Sequence, residues 1–179
     1  MSPGTAGGPL LSRRRLLDAL GRLGDHLRIA GVVADLHIVG GAVMVTEYEA
    51  RDATADVYAF DYQPHGAVER AARLVAEEMD MPQSWLNQQA SAYVPRGADW
   101  RRSHTFDHPN LHLYAIAPKH LLAMKIQAGR PTDAEDISTL CRELGITTFA
   151  EVERVTREAY PDDEPSPRGL DLARDILGR

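Results

Sequence analysis

The sequence predicts a mixed α/β domain with a helical C-terminal half. Three short apolar runs that suit strands lie before residue 117, at 35–39, 54–60 and 111–116. After residue 117 the apolar residues recur at helical spacing. The length of 179 residues suits one domain. We therefore expect a disordered N-terminus over 1–10, an α/β core over 11–116, and a helical part of the same domain over 117–179.

The helices of the α/β core follow from local patterns. A helix that starts at Ser12 and ends near Gly31 is indicated by one apolar stripe, formed by Leu16, Leu20, Leu23 and Leu27. After the strand at 35–39, a short helix is expected over 42–48. A strong amphipathic helix extends from Val68 to Met79, and a shorter helix is predicted from Ser84. The segment 95–109 has few periodic positions and predicts mostly loop.

The C-terminal half contains four predicted helices. Pro118 suits the first turn of a helix over 119–128. Two capping boxes then predict the starts of the second and third helices. These boxes are Thr132 with Glu135 and Thr148 with Glu151. A linker is expected at 162–167, before a final helix over 170–177.

Charge and composition exclude several classes of protein. The 26 acidic and 20 basic residues give a net charge of −6, which argues against coating nucleic acid by bulk charge but allows a local basic face. Only two of the bases are lysine, Lys119 and Lys125. The single cysteine, Cys141, cannot form an internal bridge, and this fits the reducing cytoplasm. No run of about 18 apolar residues occurs, so we expect a cytoplasmic protein with no membrane span or signal peptide.

A glycine pair and an aspartate form the first candidate site. Gly40 and Gly41 follow a predicted strand, and Asp56 begins the next one. Two glycines let the backbone turn sharply and approach a phosphate closely. A carboxylate on the neighbouring strand would then hold a divalent metal against that phosphate. The alternative is that the glycine pair forms an ordinary tight turn.

A lysine and two aspartates form the second candidate site. Lys125 falls on the apolar stripe of its predicted helix, and lysine is almost never fully buried without a partner. Asp133 and Asp136 follow three residues apart, and therefore on one helix face. Lys125 and Asp136 are both placed against the core, which suggests a pair that faces a shared cleft. The alternative is a structural salt bridge between two helices.

These motifs resemble the bacterial nucleotidyltransferase toxins, including the abortive-infection group. The resemblance covers about residues 36 to 160, and its motifs are LHIVGGAVMVTEYEARDATADVYAF, MPQSWLNQ, HLLAMKIQAGRPTDAEDI and LCRELGITTFAEV. It implies the polymerase-β type nucleotidyltransferase fold, a small mixed sheet flanked by helices. It also implies Mg²⁺-dependent transfer of a nucleotide from an NTP to an acceptor, which is tRNA for the toxin members, and a cognate antitoxin protein as partner.

The resemblance also assigns roles to single residues. Gly40 and Gly41 match the glycine turn that holds the triphosphate, and Asp56 matches the first metal-binding carboxylate. Lys125 matches the lysine that steadies triphosphate charge. Asp136 matches the aspartate that orients this lysine or an acceptor group.

The sequence departs from the family pattern where two further acids are expected. Tyr58 stands in place of the second carboxylate of Asp-x-Asp, and Tyr114 stands at the acid position of the third strand. A neutral phenol is a poor Mg²⁺ ligand. Asp61 would face the other side of its strand unless a bulge intervenes, whereas Glu47 or Glu49 could supply a substitute acid. The alternative function is therefore a catalytically degenerate member that binds a nucleotide or a protein.

Two further clusters are weaker candidates. His104, His108 and His112 recur every four residues, but Pro109 prevents a shared helix face, so we expect structural or surface histidines rather than a metal site. Trp100 lies among Arg96, Arg101 and Arg102, a combination that can stack on RNA.

Overall fold

The computed structural model describes residues 9–178, which form seven strands and seven helices. The strands are β1 (Leu11–Ser12), β2 (Ala34–Val39), β3 (Ala53–Thr54), β4 (Val57–Gln63), β5 (Leu86–Asn87), β6 (Trp100–Arg102) and β7 (Leu111–Ile116). The helices are α1 (Arg13–Ile29), α2 (Gly41–Thr46), α3 (His65–Glu78), α4 (Pro118–Ala128), α5 (Ala134–Leu144), α6 (Phe149–Ala159) and α7 (Pro167–Leu177). Short 3₁₀ turns lie at Ser91–Tyr93 and Pro131–Asp133.

A five-stranded mixed sheet in the order β5-β4-β2-β7-β6 forms the centre of the protein. The central strand β2 is antiparallel to β4 and parallel to β7. β5 runs parallel to β4 and β6 antiparallel to β7, while β1 and β3 form a separate two-stranded ribbon. The predicted α/β class with a helical C-terminal half is confirmed.

The two faces of the sheet differ in burial, as the period of two along a strand requires. On one face lie buried apolar residues that pack against α1 and α3. They include Leu36, Ile38, Ala59, Leu111 and Leu113. The other face carries polar and aromatic residues that are partly or fully exposed. They include Asp35, His37, Tyr58, His112 and Tyr114.

The C-terminal helices α4 to α7 pack mainly on one another. At Gly169 the helix α7 lies so close to α4 that a Cβ at this position would collide with the backbone of Ile126. The predicted capping box is present at the start of α6, where Thr148 and Glu151 cap each other's backbone N–H groups. The helix α7 begins at Pro167, with the Ser166 side chain as its cap.

Several predictions about individual elements were wrong. The helix expected at Ser84 is a turn followed by β5, because Leu86 pairs with Val57 of β4. The segment 95–109 is mostly loop, as predicted, but it contains the short edge strand β6. The predicted strand over 54–60 is divided at residues 55 and 56 between β3 and β4.

Two further predictions concern the start of α5 and the N-terminus. The Thr132 capping box does not form, because Asp133 is the N-cap residue of α5 and its side chain makes no cap hydrogen bond. The disorder predicted for 1–10 lies outside the described residues, except for Pro9 and Leu10. Within residues 9–178, no helix is long and apolar enough to cross a membrane.

Candidate functional site

Gly40 and Gly41 form the turn between β2 and α2. Gly40 has φ 72° and ψ −146°, a conformation that glycine alone adopts without strain. A Cβ on Gly40 would lie 3.3 Å from the Tyr58 ring, and a Cβ on Gly41 would lie 2.9 Å from Thr54 Oγ1. The glycine pair therefore lets the turn pack closely against β3 and β4 of the same chain.

Asp56 lies in the break between β3 and β4, next to this turn. Its Oδ2 accepts a hydrogen bond of 3.2 Å from the Asn87 side-chain amide, and its backbone oxygen accepts one of 3.1 Å from Thr54. Burial raises the pKa of the Asp56 carboxyl group, and the Asn87 hydrogen bond only partly opposes this. Burial alone raises this pKa, without a charged partner of the kind that tunes catalytic carboxylates.

Tyr58 and Tyr114 are the two tyrosines at which the resemblance led us to expect further acids. Tyr58 is opposite Val39 on the open face of the sheet. Burial, together with the charge of Asp56, raises the pKa of the Tyr58 phenol, while Arg130 opposes the rise. Tyr58 is therefore a neutral phenol at pH 7, and it makes a poor metal ligand.

Asp61 does share the open face with Tyr58, because β4 contains a bulge. Ala59 is opposite Ile38 and Asp61 is opposite His37, which leaves Phe60 as the extra residue. The bulge that Asp61 needs in order to point to this face is therefore present. Asp61 nevertheless lies three residues beyond Tyr58 along the strand, and its Oδ1 is 3.3 Å from His65 Nε2.

The two glutamates after the glycine pair have other partners. The Glu47 side chain, only 6% exposed, lies 2.9 Å from His104 Nδ1. It also accepts hydrogen bonds of 2.6 and 3.1 Å from the Ser103 and Thr105 hydroxyl groups. Glu49 pairs with Arg13 at 3.3 Å. Both carboxylates therefore hold neighbouring segments together and do not replace the missing acid beside Asp56.

Lys125 is buried in a cluster of four charged side chains, which we call the charge cluster. Its members are Arg51, Lys125, Asp133 and Asp136. Lys125 Nζ lies 2.7 Å from Asp133 Oδ1 and 2.8 Å from Asp136 Oδ2. Both carboxylates are buried, and two positive charges balance two negative charges, as a buried site requires.

Arg51 links the charge cluster to the glycine turn, and the sequence analysis did not identify it. Its guanidinium group lies 2.7 Å from Asp133 Oδ1 and donates a hydrogen bond of 2.9 Å to Asp136 Oδ1. Burial alone would lower the pKa of Arg51, but the hydrogen bond and charge of Asp136, with those of Asp133, raise it. A Cβ on Gly41 would be 3.6 Å from Arg51 Nη1.

The structure brings some predicted site residues together and leaves others apart. Lys125 and Asp136 are direct partners, as expected for the pair facing a shared cleft and equally for a structural salt bridge. Asp56 contacts Asn87 and Thr54 instead of this pair. The glycine turn is near both groups, because a Cβ on Gly41 would lie 2.9 Å from Thr54 Oγ1 and 3.6 Å from Arg51 Nη1.

The donor set around Asp56 does not fit a two-metal centre. Such a centre needs carboxylates that bridge two ions about 3.5–4 Å apart. Asp56 supplies one carboxylate, and Tyr58 supplies a phenol. Over residues 9–178, no three His, Cys, Asp or Glu side chains are grouped so that they could hold a metal ion.

The three regularly spaced histidines each pair with a different acid. His104 pairs with Glu47 and His108 with Asp25, at 2.9 and 3.3 Å. His112 Nδ1 lies 2.9 Å from Asp35 Oδ1 across the sheet. They are therefore spread over three separate contacts.

Comparisons with known proteins found no relative of this chain. No family model, no curated protein and no solved structure matches this chain.

Proposed function

We propose that this chain is a nucleotide-binding module of nucleotidyltransferase-like architecture that lacks metal-dependent transfer. The observation that carries the proposal is the placement of its acids. Asp133 and Asp136 are neutralised within the charge cluster, and Asp56 has Tyr58 in place of a second carboxylate. Phosphoryl transfer of this type depends on metal ions that neutralise the developing charge, and too few carboxylates remain to hold them.

The ligand that this arrangement favours is the phosphate chain of a nucleoside triphosphate bound without Mg²⁺. The charge cluster has no net charge, so its cations are not available to phosphate. Arg130 is exposed and is the N-cap residue of the 3₁₀ turn Pro131–Asp133, which leads into the charge cluster, and its charge opposes the rise in the Tyr58 pKa. This arginine therefore offers a cation for a phosphate at the turn. Because burial raises the pKa of Asp56, its uncharged form is easier to reach beside an anion.

The alternative function is that of a toxin-type enzyme that transfers a nucleotide from an NTP to tRNA. Asp56 favours this alternative, because it is a half-buried carboxylate next to the turn. Bound Mg²⁺ would supply charge neutralisation there, with Asp56 as its protein ligand. A cognate antitoxin protein would be the partner in that case.

Titration calorimetry with each NTP, with Mg²⁺ and with EDTA, tests the proposal directly. We expect an affinity that does not depend on Mg²⁺. Arg130→Ala should weaken it by roughly tenfold, the usual size of a charge-assisted contact. Arg142→Ala is the matched control, because Arg142 is an exposed arginine on the other side of α5 from the buried acids.

A transfer assay separates the two functions. The protein is incubated with Mg²⁺, labelled NTPs and total tRNA, and we expect no incorporation of label. Mg²⁺-dependent labelling of tRNA that is lost in Asp56→Asn would contradict the proposal and establish the enzyme. If calorimetry detects no NTP binding in either buffer, the module does not bind nucleotides, and a role in protein interaction replaces the proposal.

A further inference from the structure

The open face of the sheet carries a cluster of rings, which we call the aromatic platform. It consists of His37 on β2, Phe60 on β4, Trp100 on β6 and Tyr114 on β7. The His37 and Tyr114 rings are stacked, with centroids 4.8 Å apart and 11° between their planes. Trp100 meets the edge of His37 at 4.9 Å and stacks on Phe60 at 5.3 Å. Four strands therefore contribute to one continuous ring surface.

The sheet register explains why these rings collect on one face. His37 and Tyr114 are directly paired neighbours in the parallel β2–β7 ladder. Trp100 pairs with Ile116, two residues beyond Tyr114 and hence on the same face. The bulge in β4 leaves Phe60 unpaired, and Phe60 keeps 39% of its surface exposed. α1 and α3 cover the opposite face, whereas on this face His37, Trp100 and Tyr114 are partly exposed.

The charges on this face favour an anionic ligand at the β6 edge. Arg102 is exposed, and its guanidinium group lies over the Tyr114 ring, 5.6 Å from the centroid. The acids Asp35 and Asp61 are each paired with a histidine, at 2.9 and 3.3 Å. An accessible cation therefore borders the rings at β6, whereas the two acids, whose charges act on His37, lie on β2 and β4.

We propose that the aromatic platform binds single-stranded nucleic acid, with a base stacked on the exposed Phe60 ring and the phosphate backbone following β6. Rings on a sheet surface beside an arginine suit this ligand, because every base has a π face and every nucleotide carries a phosphate. A duplex keeps its bases stacked on one another, so it cannot use the rings in this way. The platform lies on residues other than Asp56, Arg130 and the glycine turn, so this proposal is independent of the proposed function.

Fluorescence anisotropy with labelled 12-nucleotide oligo-U and oligo-dT measures the predicted binding. We expect saturable binding of the single strands and at least tenfold weaker binding of a duplex of the same length. Phe60→Ala should weaken binding by about tenfold, because stacking on one ring typically contributes this much. Tyr114→Ala should also weaken it, because the variant removes the ring over which the Arg102 guanidinium group lies. Arg102→Ala should reduce the slope of log affinity against log salt by about 0.7, the value for one phosphate contact on a single strand.

Matched variants distinguish the platform from general surface effects. Tyr93 is an aromatic residue that is 71% exposed outside the platform, and Arg70 is an exposed arginine on α3. Tyr93→Ala and Arg70→Ala should leave the affinity unchanged. Circular dichroism of each variant confirms folding, and Phe60→Ala provides the decisive case because its side chain is already exposed.

Intrinsic fluorescence gives a second readout. Of the two tryptophans, Trp85 is buried at 1% exposure, whereas Trp100 is in the platform. RNA should quench part of the wild-type emission. In Trp100→Phe the quenching should disappear while binding persists, because a ring remains. Absence of binding by every single strand, equal binding of the duplex, or equal losses in the platform and control variants would overturn the proposal.

Discussion

Replacing Lys125 with methionine measures how much the charge cluster stabilises the fold. Lys125 Nζ contacts Asp133 and Asp136, and all three side chains are less than a tenth exposed. Removing one partner of a buried ion pair costs about 3–5 kcal/mol. Arg51 still contacts both carboxylates at 2.6–2.7 Å, so we expect the lower end, about 3 kcal/mol.

This loss should be visible in urea and thermal unfolding. For a domain of this size, 1 kcal/mol corresponds to roughly 2–4 °C, so Lys125→Met should lower the Tm by roughly 6–12 °C. Lys119→Met is the matched control, because Lys119 pairs with Asp99 at the surface, where the two side chains are 53% and 63% exposed. The control should leave the Tm unchanged within error, since exposed pairs contribute little.

A double-mutant cycle tests the reasoning more sharply. Lys125→Met with Asp136→Asn removes one charge of each sign and restores neutrality in the buried cluster. The double variant should therefore be more stable than the two single losses predict, by about 0.5–3 kcal/mol. Additive losses, or a Lys125→Met variant as stable as Lys119→Met, would refute a balanced buried cluster.

Four further variants have defined outcomes. Gly40→Ala should destabilise the protein by about 1–3 kcal/mol, because the backbone conformation at this position suits only glycine. Gly21→Ala in α1 should instead stabilise it by about 0.5–1 kcal/mol, because a Cβ at Gly21 would meet nothing within 4 Å. Urea titrations measure both changes. Asp56→Asn should raise the free energy of unfolding at pH 7, because burial raises the pKa of Asp56 above 3.8 and folding disfavours its charged form. The advantage should disappear as the pH falls through the folded pKa towards 3.8. Burial lowers the pKa of His37 below 6.5, so wild-type stability relative to His37→Phe should be complete above pH 6.5 and decline below it, as parallel urea titrations at pH 7.5 and 5.5 would show.

Long periodic helices were the easiest elements to predict, because their signal is local and repeated. Leu16, Leu20, Leu23 and Leu27 are all fully buried in α1, as the stripe indicates. The capping box at Thr148 formed, whereas the one at Thr132 did not. Both boxes have the right residues, but Asp133 directs its carboxylate to Lys125 and Arg51. Asp133 is the N-cap residue of α5, and its carboxylate belongs to the charge cluster and caps no backbone N–H of the helix.

Short edge strands could not be predicted, because two or three residues carry no period. β5 and β6 exist through the partners that β4 and β7 provide. The bulge at Phe60 likewise depends on the pairing of β4 with β2. It changes which residues share the open face, and it brings Asp61 and Phe60 to the same side as His37.

The sequence by itself determined the α/β class, the helical C-terminal half, the glycine turn and the need of Lys125 for a buried partner. These follow from local spacing and from the cost of burying a charge. Only the tertiary structure decided that Arg51 joins Asp133 and Asp136, residues more than 80 positions away, and that four strands gather one aromatic platform. Both features depend on strand register and helix docking. Because these contacts join residues that are far apart along the chain, no local sequence pattern predicts them.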